Sequence, residues 1–448
     1  METMQALKRG EAILAGGDRP LWRNRPFVSI LAGNLVAVFG DCFSGIALSL
    51  WVLQTTGSAK QMAFILVSYT LISVLFGSIA GTVADRMSRR KLMLISDLSR
   101  GILACILALF MFAFHLPFAA ILVLICLSAF AGLFQGPSFH ASITKLAGKG
   151  RIEQATSAVY LTDNIARISG LALAGVAVAA FGGVWAMVFN AATFFFSALC
   201  VIMAGPFDSA TDEPVQAAGP FQSAADDPVP ATGPFQSAED VSNGEGKKSL
   251  WAELALGFAY IRKDALARSI VILNPIIILL FMSSLMLIQV VAIKEWKAGP
   301  IAFGLIEMCV PLGYLIGAGI IMALGSKIGR KGWWVFTGVV TLGPVFAIIA
   351  MLPRATAALP LILLGGMLFA FCSMMIQIIL RSQVPNEMQG RVYGTLGSIT
   401  GVAPSIGLLI SSSLADVLGA HVVLGAQGLC LLLVGIAAII WLKPLRQY

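Results

Sequence analysis

Charged side chains are scarce in this sequence of 448 residues, at 12% of the total, whereas soluble domains carry about 25%. Hydrophobic residues make up 58%, and the mean hydropathy is +0.89. This shortage of charge excludes a soluble globular domain, a disordered chain and a coiled coil. It leaves a chain that crosses a lipid bilayer several times, because one spanning helix takes about 20 mostly apolar residues.

Motifs for catalysis and nucleotide binding are also missing. The sequence has no Gly-x-x-x-x-Gly-Lys phosphate loop, no nucleophile elbow and no cluster of metal-ligating residues. The seven cysteines lie in apolar runs without a Cys-x-x-Cys pair, so we expect them to act as small apolar side chains. We therefore expect no enzymatic activity, no cofactor and no metal. The net charge of +8 is explained better by membrane orientation than by binding to nucleic acid.

Twelve apolar runs predict an all-α integral membrane protein with twelve transmembrane helices. With the N-terminus inside, 24 of the 30 Lys and Arg residues fall in inner segments and four in outer segments. This asymmetry predicts a multi-pass protein of the cytoplasmic membrane with both termini in the cytoplasm. The first 26 residues lack an apolar stretch, so we expect no cleavable signal peptide. The runs are 27–51, 61–84, 91–114, 117–140, 156–181, 184–204, 268–291, 301–325, 332–352, 358–381, 391–416 and 420–442.

A polar stretch divides the chain into a six-helix bundle at 1–204, a linker at 205–248 and a second bundle at 249–448. Gly-Pro-Phe recurs in the linker with a period of 14, and residues 205–246 contain acids but no Lys or Arg. This composition predicts a disordered cytoplasmic tether, with a partner-binding site as the alternative. Residues 249–263 are typical of an amphipathic helix at the membrane interface.

The two halves are related in sequence. A shift of 240 residues places Gly77 on Gly317, Arg90 on Arg330 and Gly150 on Gly390. Two loops therefore match at a single offset, which indicates a duplicated six-helix unit. We expect the two bundles to be related by a pseudo-two-fold axis.

The loop after the second run contains Gly81-Thr82-Val83-Ala84-Asp85-Arg86-Met87-Ser88-Arg89-Arg90. It resembles the Gly-x-x-x-Asp-Arg-x-x-Arg-Arg signature of the major facilitator superfamily, which lies between helices 2 and 3. The resemblance implies the major facilitator fold, with spans 1, 4, 7 and 10 around a central cavity. In the motif, Gly81 would allow close helix approach. Asp85 would pair with arginines or with a helix N-terminus, and Arg86, Arg89 and Arg90 would complete a latch between the halves on the cytoplasmic side.

Three further segments resemble the macrolide-efflux and enterobactin-exporter group of that superfamily. They are Phe39-Gly40-Asp41, the run Ile95-Ser96-Asp97-Leu98-Ser99-Arg100, and residues 384–392. Asp97 and Arg100 lie three residues apart at the inner end of the third span, and we expect them to support the loop latch.

Ionisable residues at membrane depth are costly and mark candidate functional sites. Asp41 and Asn34 are seven residues apart on one face of the first span, where Asp41 could carry a proton or hold a cationic substrate. Glu307, in the outer third of the eighth span, is the only acid deep in the second half. For Asp41, a structural helix cap or a helix–helix hydrogen bond is the alternative.

Two other sets of polar residues have structural interpretations. Asp163 and Arg167 lie four residues apart in the fifth span and could pair along one helix face, in a proton-coupling or a purely structural role. Asp416 lies near the outer end of the eleventh span, where we expect it to be solvated.

Without a nucleotide-binding loop, an ion gradient is the expected energy source. The first hypothesis is a monomeric, proton-coupled exporter of an amphipathic small molecule, such as a macrolide-like drug or a siderophore, that works by alternating access. The alternatives are an importer or lipid flippase on the same fold, and a non-transporting receptor.

Overall fold

The computed structural model describes residues 21–113, 117–148, 151–205, 258–325 and 328–447. Within these ranges all regular secondary structure is helical, and twelve helices are long and apolar enough to span a membrane, as predicted. Most of the predicted linker lies outside the described residues. The spans are α1 Arg25–Thr56, α2 Ala59–Arg86, α3 Arg89–Ala113, α4 Phe118–Ala147, α5 Ile152–Phe181, α6 Gly183–Met203, α7 Ala265–Lys294, α8 Pro300–Leu324, α9 Lys331–Met351, α10 Ala355–Gln383, α11 Asn386–Leu418 and α12 Ala420–Trp441.

Local sequence sets several helix ends. The side chain of Asn24 accepts a hydrogen bond from the backbone N–H of Phe27 and caps α1, which ends at Gly57 in the left-handed conformation with φ of 62°. Asp264 caps α7 by accepting from two backbone N–H groups, at 2.7 and 2.9 Å. These caps satisfy donors that the first turn of a helix leaves unpaired.

One span is interrupted in a way that the apolar run did not predict. α4 consists of the segments Phe118–Gly132 and Gln135–Ala147, separated by a turn at residues 133 and 134. The Leu133 N–H bonds to the Phe130 carbonyl three residues earlier, which tightens the chain locally. The guanidinium of Arg100 in α3 packs beside Gly132, at the end of the first segment.

Each half uses the same set of helix contacts. In the first half α1 packs on α5 and α6, α3 on α6, and α2 on α4. In the second half α7 packs on α11 and α12, α9 on α12, and α8 on α10, which is the same pattern shifted by six helices. The principal contacts between the halves are α5 with α8 and α2 with α11, and these two pairs are also equivalent under that shift.

The α5–α8 contact depends on two glycines. A Cβ atom on Gly304 of α8 would lie 2.7 Å from the Leu171 carbonyl oxygen, and one on Gly175 of α5 would lie 2.5 Å from the Pro300 carbonyl oxygen. Both distances are too short for any other side chain, so glycine allows the two backbones to touch. The contact lies near the end where α1 meets α2 and α7 meets α8. We call this the outer end, and the opposite end the inner end.

Candidate functional site

A cavity of about 330 Å³ lies between the halves, lined by α5 on one side and by α7, α8 and α10 on the other. Its wall is largely apolar and carries a few polar groups, a composition typical of small-molecule sites. Pro311 of α8 also lines it. The principal polar and aromatic residues are Asn164, Arg167, Gln289, Glu307, Tyr314, Phe281 and Phe369.

Glu307 and Gln289 form the acidic side of the cavity. The two side chains, on α8 and α7, lie in the same wall of the cavity. Gln289 Oε1 is buried with no hydrogen-bond partner among the described residues. An unpaired buried acceptor beside a carboxylate favours a ligand that can donate hydrogen bonds. The sequence singled out Glu307 but gave no signal for Gln289, which lies 18 residues away.

Aromatic rings form another wall. Phe281 of α7 and Phe369 of α10 are stacked, with ring centroids 3.8 Å apart and planes 2° apart. The Tyr314 ring of α8 lies 6.2 Å from Phe369, and its hydroxyl accepts a hydrogen bond of 3.3 Å from Ser373. Flat rings of this kind offer a large apolar contact area with a polar edge.

Arg167 lies in the cavity wall, and its expected partner lies elsewhere. Asp163 accepts a hydrogen bond of 2.7 Å from the Asn34 amide of α1. Among the described side chains no ion pair joins Asp163 to Arg167, so the pair expected from their four-residue spacing is not formed. The exposed Arg167 side chain instead faces the same cavity as Glu307.

Asp41 is not an isolated carboxylate. Arg100 of α3 places Nη2 at 2.9 Å from both of its carboxylate oxygens, and the Arg100 guanidinium lies 4.1 Å from the centroid of the Phe194 ring. The pair therefore joins α1 to α3 within the first half, with a cation–π contact to α6. The expectation that Arg100 acts with Asp97 in a loop latch is corrected, because the guanidinium reaches across to α1.

Asp97 lies in the interior of the first half, next to this pair. Its side chain is fully buried, and its Oδ2 accepts a hydrogen bond of 2.7 Å from Ser197 of α6. Its Oδ1 and the Nε of Arg100 are buried without hydrogen-bond partners among the described residues. Asp97 is therefore packed against α6 in the interior of the first half.

The signature loop makes a contact within the first half that the sequence did not predict. Arg90 donates to the carbonyls of Val201 and Ile202 and so caps the last turn of α6 within the same half. A Cβ atom on Gly81 would meet nothing within 4 Å, so the expected close helix approach there is not present. Arg86 is exposed and Arg89 is half-buried. The Asp85 side chain lies outside the described residues, so its role as a latch stays a prediction.

The outer end is closed by an acid that we expected to be solvated. Asp416 of α11 accepts hydrogen bonds from Ser58 Oγ and from the backbone N–H groups of Ala59 and Lys60, at 2.9, 2.9 and 3.2 Å. Its Oδ1 also lies 3.7 Å from Lys294 Nζ. Asp416 thus caps the N-terminus of α2 from the other half. No sequence signal connected residues more than 350 positions apart.

Open space lies beside the inner parts of the same two helices. Cβ atoms built on Gly77 and Gly81 of α2, or on Gly394 and Gly397 of α11, would meet nothing within 4 Å. The α2–α11 pair is therefore joined at its outer end and has space beside its inner parts. This geometry describes a cavity closed on the outer side.

Comparisons with known proteins agree with this architecture. A model of the family described as "Transmembrane secretion effector" matches residues 18–217, and a model described as "Major Facilitator Superfamily" matches residues 272–447. The multidrug efflux pump Tap of Mycolicibacterium fortuitum is 25% identical over 431 residues, which cover 94% of this chain and 97% of that protein. The macrolide efflux protein A of Streptococcus pyogenes is 21% identical, with 88% and 90% covered.

Solved structures match the fold over nearly the whole chain. The peptide transporter POT aligns with a TM-score of 0.70 at 12% identity, covering 98% of this chain and 99% of that one. A bacterial homologue of the iron transporter ferroportin, solved in an inward-facing state, aligns with a TM-score of 0.66 at 16% identity, covering 94% and 99%.

Twelve spans, two similarly packed halves and a small-molecule cavity between them define a multi-pass membrane transporter. The chain belongs to the major facilitator superfamily. Its relatives that carry assigned names include multidrug and macrolide efflux pumps.

Proposed function

We propose that this protein exports an amphipathic small molecule from the cytoplasm in exchange for protons, by alternating access. The observation that carries the proposal is the cavity between the halves, where Glu307 and Gln289 face the stacked rings of Phe281 and Phe369. An apolar wall with one carboxylate suits substrates that combine a large apolar surface with a donor or a positive charge. The names of the efflux relatives support export as the direction.

The helix contacts support alternating access around this cavity. Closure at the outer end by Asp416 and by the glycine crossing of α5 with α8 is the arrangement expected for a site that opens toward the cytoplasm. Rocking of the halves would break the outer contacts and bring the inner parts of α2 and α11 together. In that state the predicted latch of Asp85 and the arginines of the signature loop would form.

The proposal includes the setting of the transporter. We place it as a monomer in the cytoplasmic membrane with both termini inside, acting without a nucleic-acid partner or a cofactor. Asp41, with Asn34, and Glu307 are the proposed proton-coupling and substrate groups, and Asp163 and Arg167 contribute to the path. A carboxyl group at membrane depth can link proton binding to a change of state, because its charge is costly there.

The test is transport in inside-out vesicles, with ethidium and a radiolabelled macrolide as probes. A proton gradient should drive both probes into vesicles containing the wild-type protein. Glu307→Gln and Asp41→Asn should abolish gradient-driven accumulation, whereas the control Glu153→Gln, at an exposed position in the first turn of α5, should not. Full gradient-driven transport by both variants would refute the coupling.

Direction is tested with two further preparations. Accumulation in right-side-out vesicles, or scrambling of a fluorescent phospholipid in proteoliposomes, would replace export by import or lipid flipping.

A further inference from the structure

Near Asp41 the number of acidic side chains exceeds the number of basic ones. Two carboxylates, Asp41 of α1 and Asp97 of α3, share one cation, Arg100, and all three interact electrostatically. The other ionisable groups that interact with this cluster are Tyr69 of α2, Cys42 of α1, Cys200 of α6 and, beyond Tyr69, Cys126 of α4. None of them supplies a positive charge. From α6 the described contacts are the Phe194 ring and the Ser197 hydroxyl.

Arg167 does not restore the balance. It is the other cation at membrane depth in the first half, and its side chain faces the central cavity together with Glu307. Its contact with this part of α1 is through its backbone carbonyl, which accepts from the Cys42 thiol. With both carboxylates ionised, the cluster would hold an uncompensated negative charge in the membrane interior, which is strongly disfavoured.

The geometry points to the carboxyl group that holds the missing proton. Asp41 receives Arg100 Nη2 at both oxygens, and its side chain is 40% exposed. Asp97 is fully buried and accepts one hydrogen bond, from Ser197, while its Oδ1 has no partner among the described residues. An ionised carboxylate in that position would have a single hydrogen bond and no counter-ion in contact, whereas a neutral carboxyl needs no counter-ion.

We propose that Asp97, Arg100 and Asp41 form a one-proton relay, in which Asp97 carries the proton in this state and Arg100 is the positioning residue that changes partner. In the exchange, the proton leaves Asp97 and binds Asp41, while the Arg100 guanidinium leaves Asp41 and pairs with Asp97. The cluster holds one proton before and after the exchange, and its net charge stays at zero. Arg100 and Asp97 are three residues apart on one helix, so the new pair needs no backbone movement.

The exchange has a mechanical result. Arg100 joins α1 to α3 only while it is bound to Asp41, so proton transfer to Asp41 releases α1 from α3. The neutral Asp41 is then the exposed member that exchanges its proton with water. This inference rests on the proposed coupling through Asp41, and it adds Asp97 as a second proton carrier.

The test is a set of charge-changing variants, measured by thermal stability of the purified full-length protein in detergent. Asp97→Asn and Asp41→Asn should each give folded protein, because one carboxylate remains to neutralise Arg100. The double variant leaves Arg100 uncompensated and should lose far more stability than the sum of the two single losses. Adding Arg100→Gln to the double variant should restore a folded protein.

A matched control is Asp41→Asn combined with Asp163→Asn, which removes a second membrane carboxyl outside the cluster. Its stability loss should be additive. If the Asp41→Asn and Asp97→Asn losses are also merely additive, Asp97 never ionises to replace Asp41 and the relay is wrong.

Infrared spectroscopy gives an independent readout that a structural role would not change. One component of the carboxylic-acid C=O band should disappear in Asp97→Asn and also in Asp41→Asn, where Asp97 becomes ionised. Arg100→Gln should increase the band, because both acids become neutral, and Arg100→Lys should leave it as in the wild type. An unchanged band in Asp97→Asn would overturn the proposal. Neither measurement involves transport, so either can fail while proton-coupled export stands.

Discussion

The Asp416 carboxylate of α11 accepts a hydrogen bond of 2.9 Å from the backbone N–H of Ala59, at the first turn of α2. The two residues belong to different halves and are 357 positions apart in the chain. An acid at a helix N-terminus is stabilised by unpaired N–H donors and by the helix dipole. The outer closure is therefore a helix cap supplied from the opposite half, and it has to break whenever the outer end opens.

Asp416→Asn should weaken the outer closure. The amide keeps one acceptor but loses the negative charge that the α2 N-terminus favours, so the closed state should lose about 1 kcal/mol. That shift moves an equilibrium about fivefold toward outer-open states. Spin labels at Thr55 and Val422, in a background without native cysteines, should report a larger outer-open fraction by pulsed electron resonance.

The control for that experiment is Glu295→Gln. Glu295 receives His421 Nδ1 at 2.9 Å, also near the outer end, but this contact joins helices of the same half. It should leave the label distances unchanged. Equal changes of the label distances in the two variants would show that the Asp416 cap does not hold the two halves together.

Gly304→Ala should also disfavour the closed outer end. The added methyl would lie 2.7 Å from the Leu171 carbonyl oxygen, so α5 and α8 would have to separate, at a cost of roughly 1–3 kcal/mol. The same label pair should show the change as longer distances. Gly319→Ala is the matched control on α8, since its Cβ would meet nothing within 4 Å. If Gly304→Ala leaves the distances between the spin labels as in the wild type, the α5–α8 contact accommodates the added methyl group without separation of the outer end.

Phe369→Leu should impair recognition of flat aromatic substrates. Removal of this cavity-lining ring takes away one aromatic contact with a flat substrate, worth about 0.5–1.5 kcal/mol, which corresponds to a roughly 2–10-fold higher KM for ethidium. The KM of a macrolide, which has no flat ring, should change less. Phe371→Leu is the control, because that ring packs edge-on against Trp334 and is not part of the cavity wall. Equal changes for both probes would argue against a stacking role.

Arg90→Ala should reduce stability. The side chain caps the carbonyls of Val201 and Ile202 at the end of α6, and cations at that position contribute about 0.3–1 kcal/mol. Thermal unfolding in detergent at low salt should show the loss, and high salt should reduce it. The exposed Arg86→Ala is the comparison from the same motif. If Arg86→Ala destabilises the protein as much, the α6 cap is not the cause.

The sequence predicted the class of fold because hydrophobic runs and Lys and Arg asymmetry are local properties. It predicted residue pairs poorly, because the partners lie on different helices, and contacts between helices are not local properties of the sequence. Periodicity suggested neighbours on one helix, such as Asp163 with Arg167, whereas the structure pairs Asp163 with Asn34 and Arg100 with Asp41 on other helices. A span that is apolar on all sides gives little indication of which face meets its neighbour.

The cavity illustrates the same limit. Glu307 stood out in the sequence because an acid within an apolar run is conspicuous. Gln289, Phe281 and Phe369 did not, since amides and aromatic rings are common in membrane helices. Only the relative rotation of α7, α8 and α10 brings these side chains together. The interruption of α4 was missed because the run 117–140 was assigned by hydropathy, which does not register a turn, although Gly132, Gly136 and Pro137 lie beside it.

The polar contacts of α1 also constrain how the protein is made. α1 is the first of the twelve spans to leave the ribosome, carrying Asn34 and Asp41, but their partners follow 129 and 59 residues later. At roughly 5–20 residues per second, α1 waits about 3–12 s for Arg100 and about 6–26 s for Asp163. Until then two polar groups face lipid or the insertion machinery. The helices of the first half therefore cannot reach their final packing in the order in which they are made. The polar contacts of α1 are complete only after α5 has been synthesised.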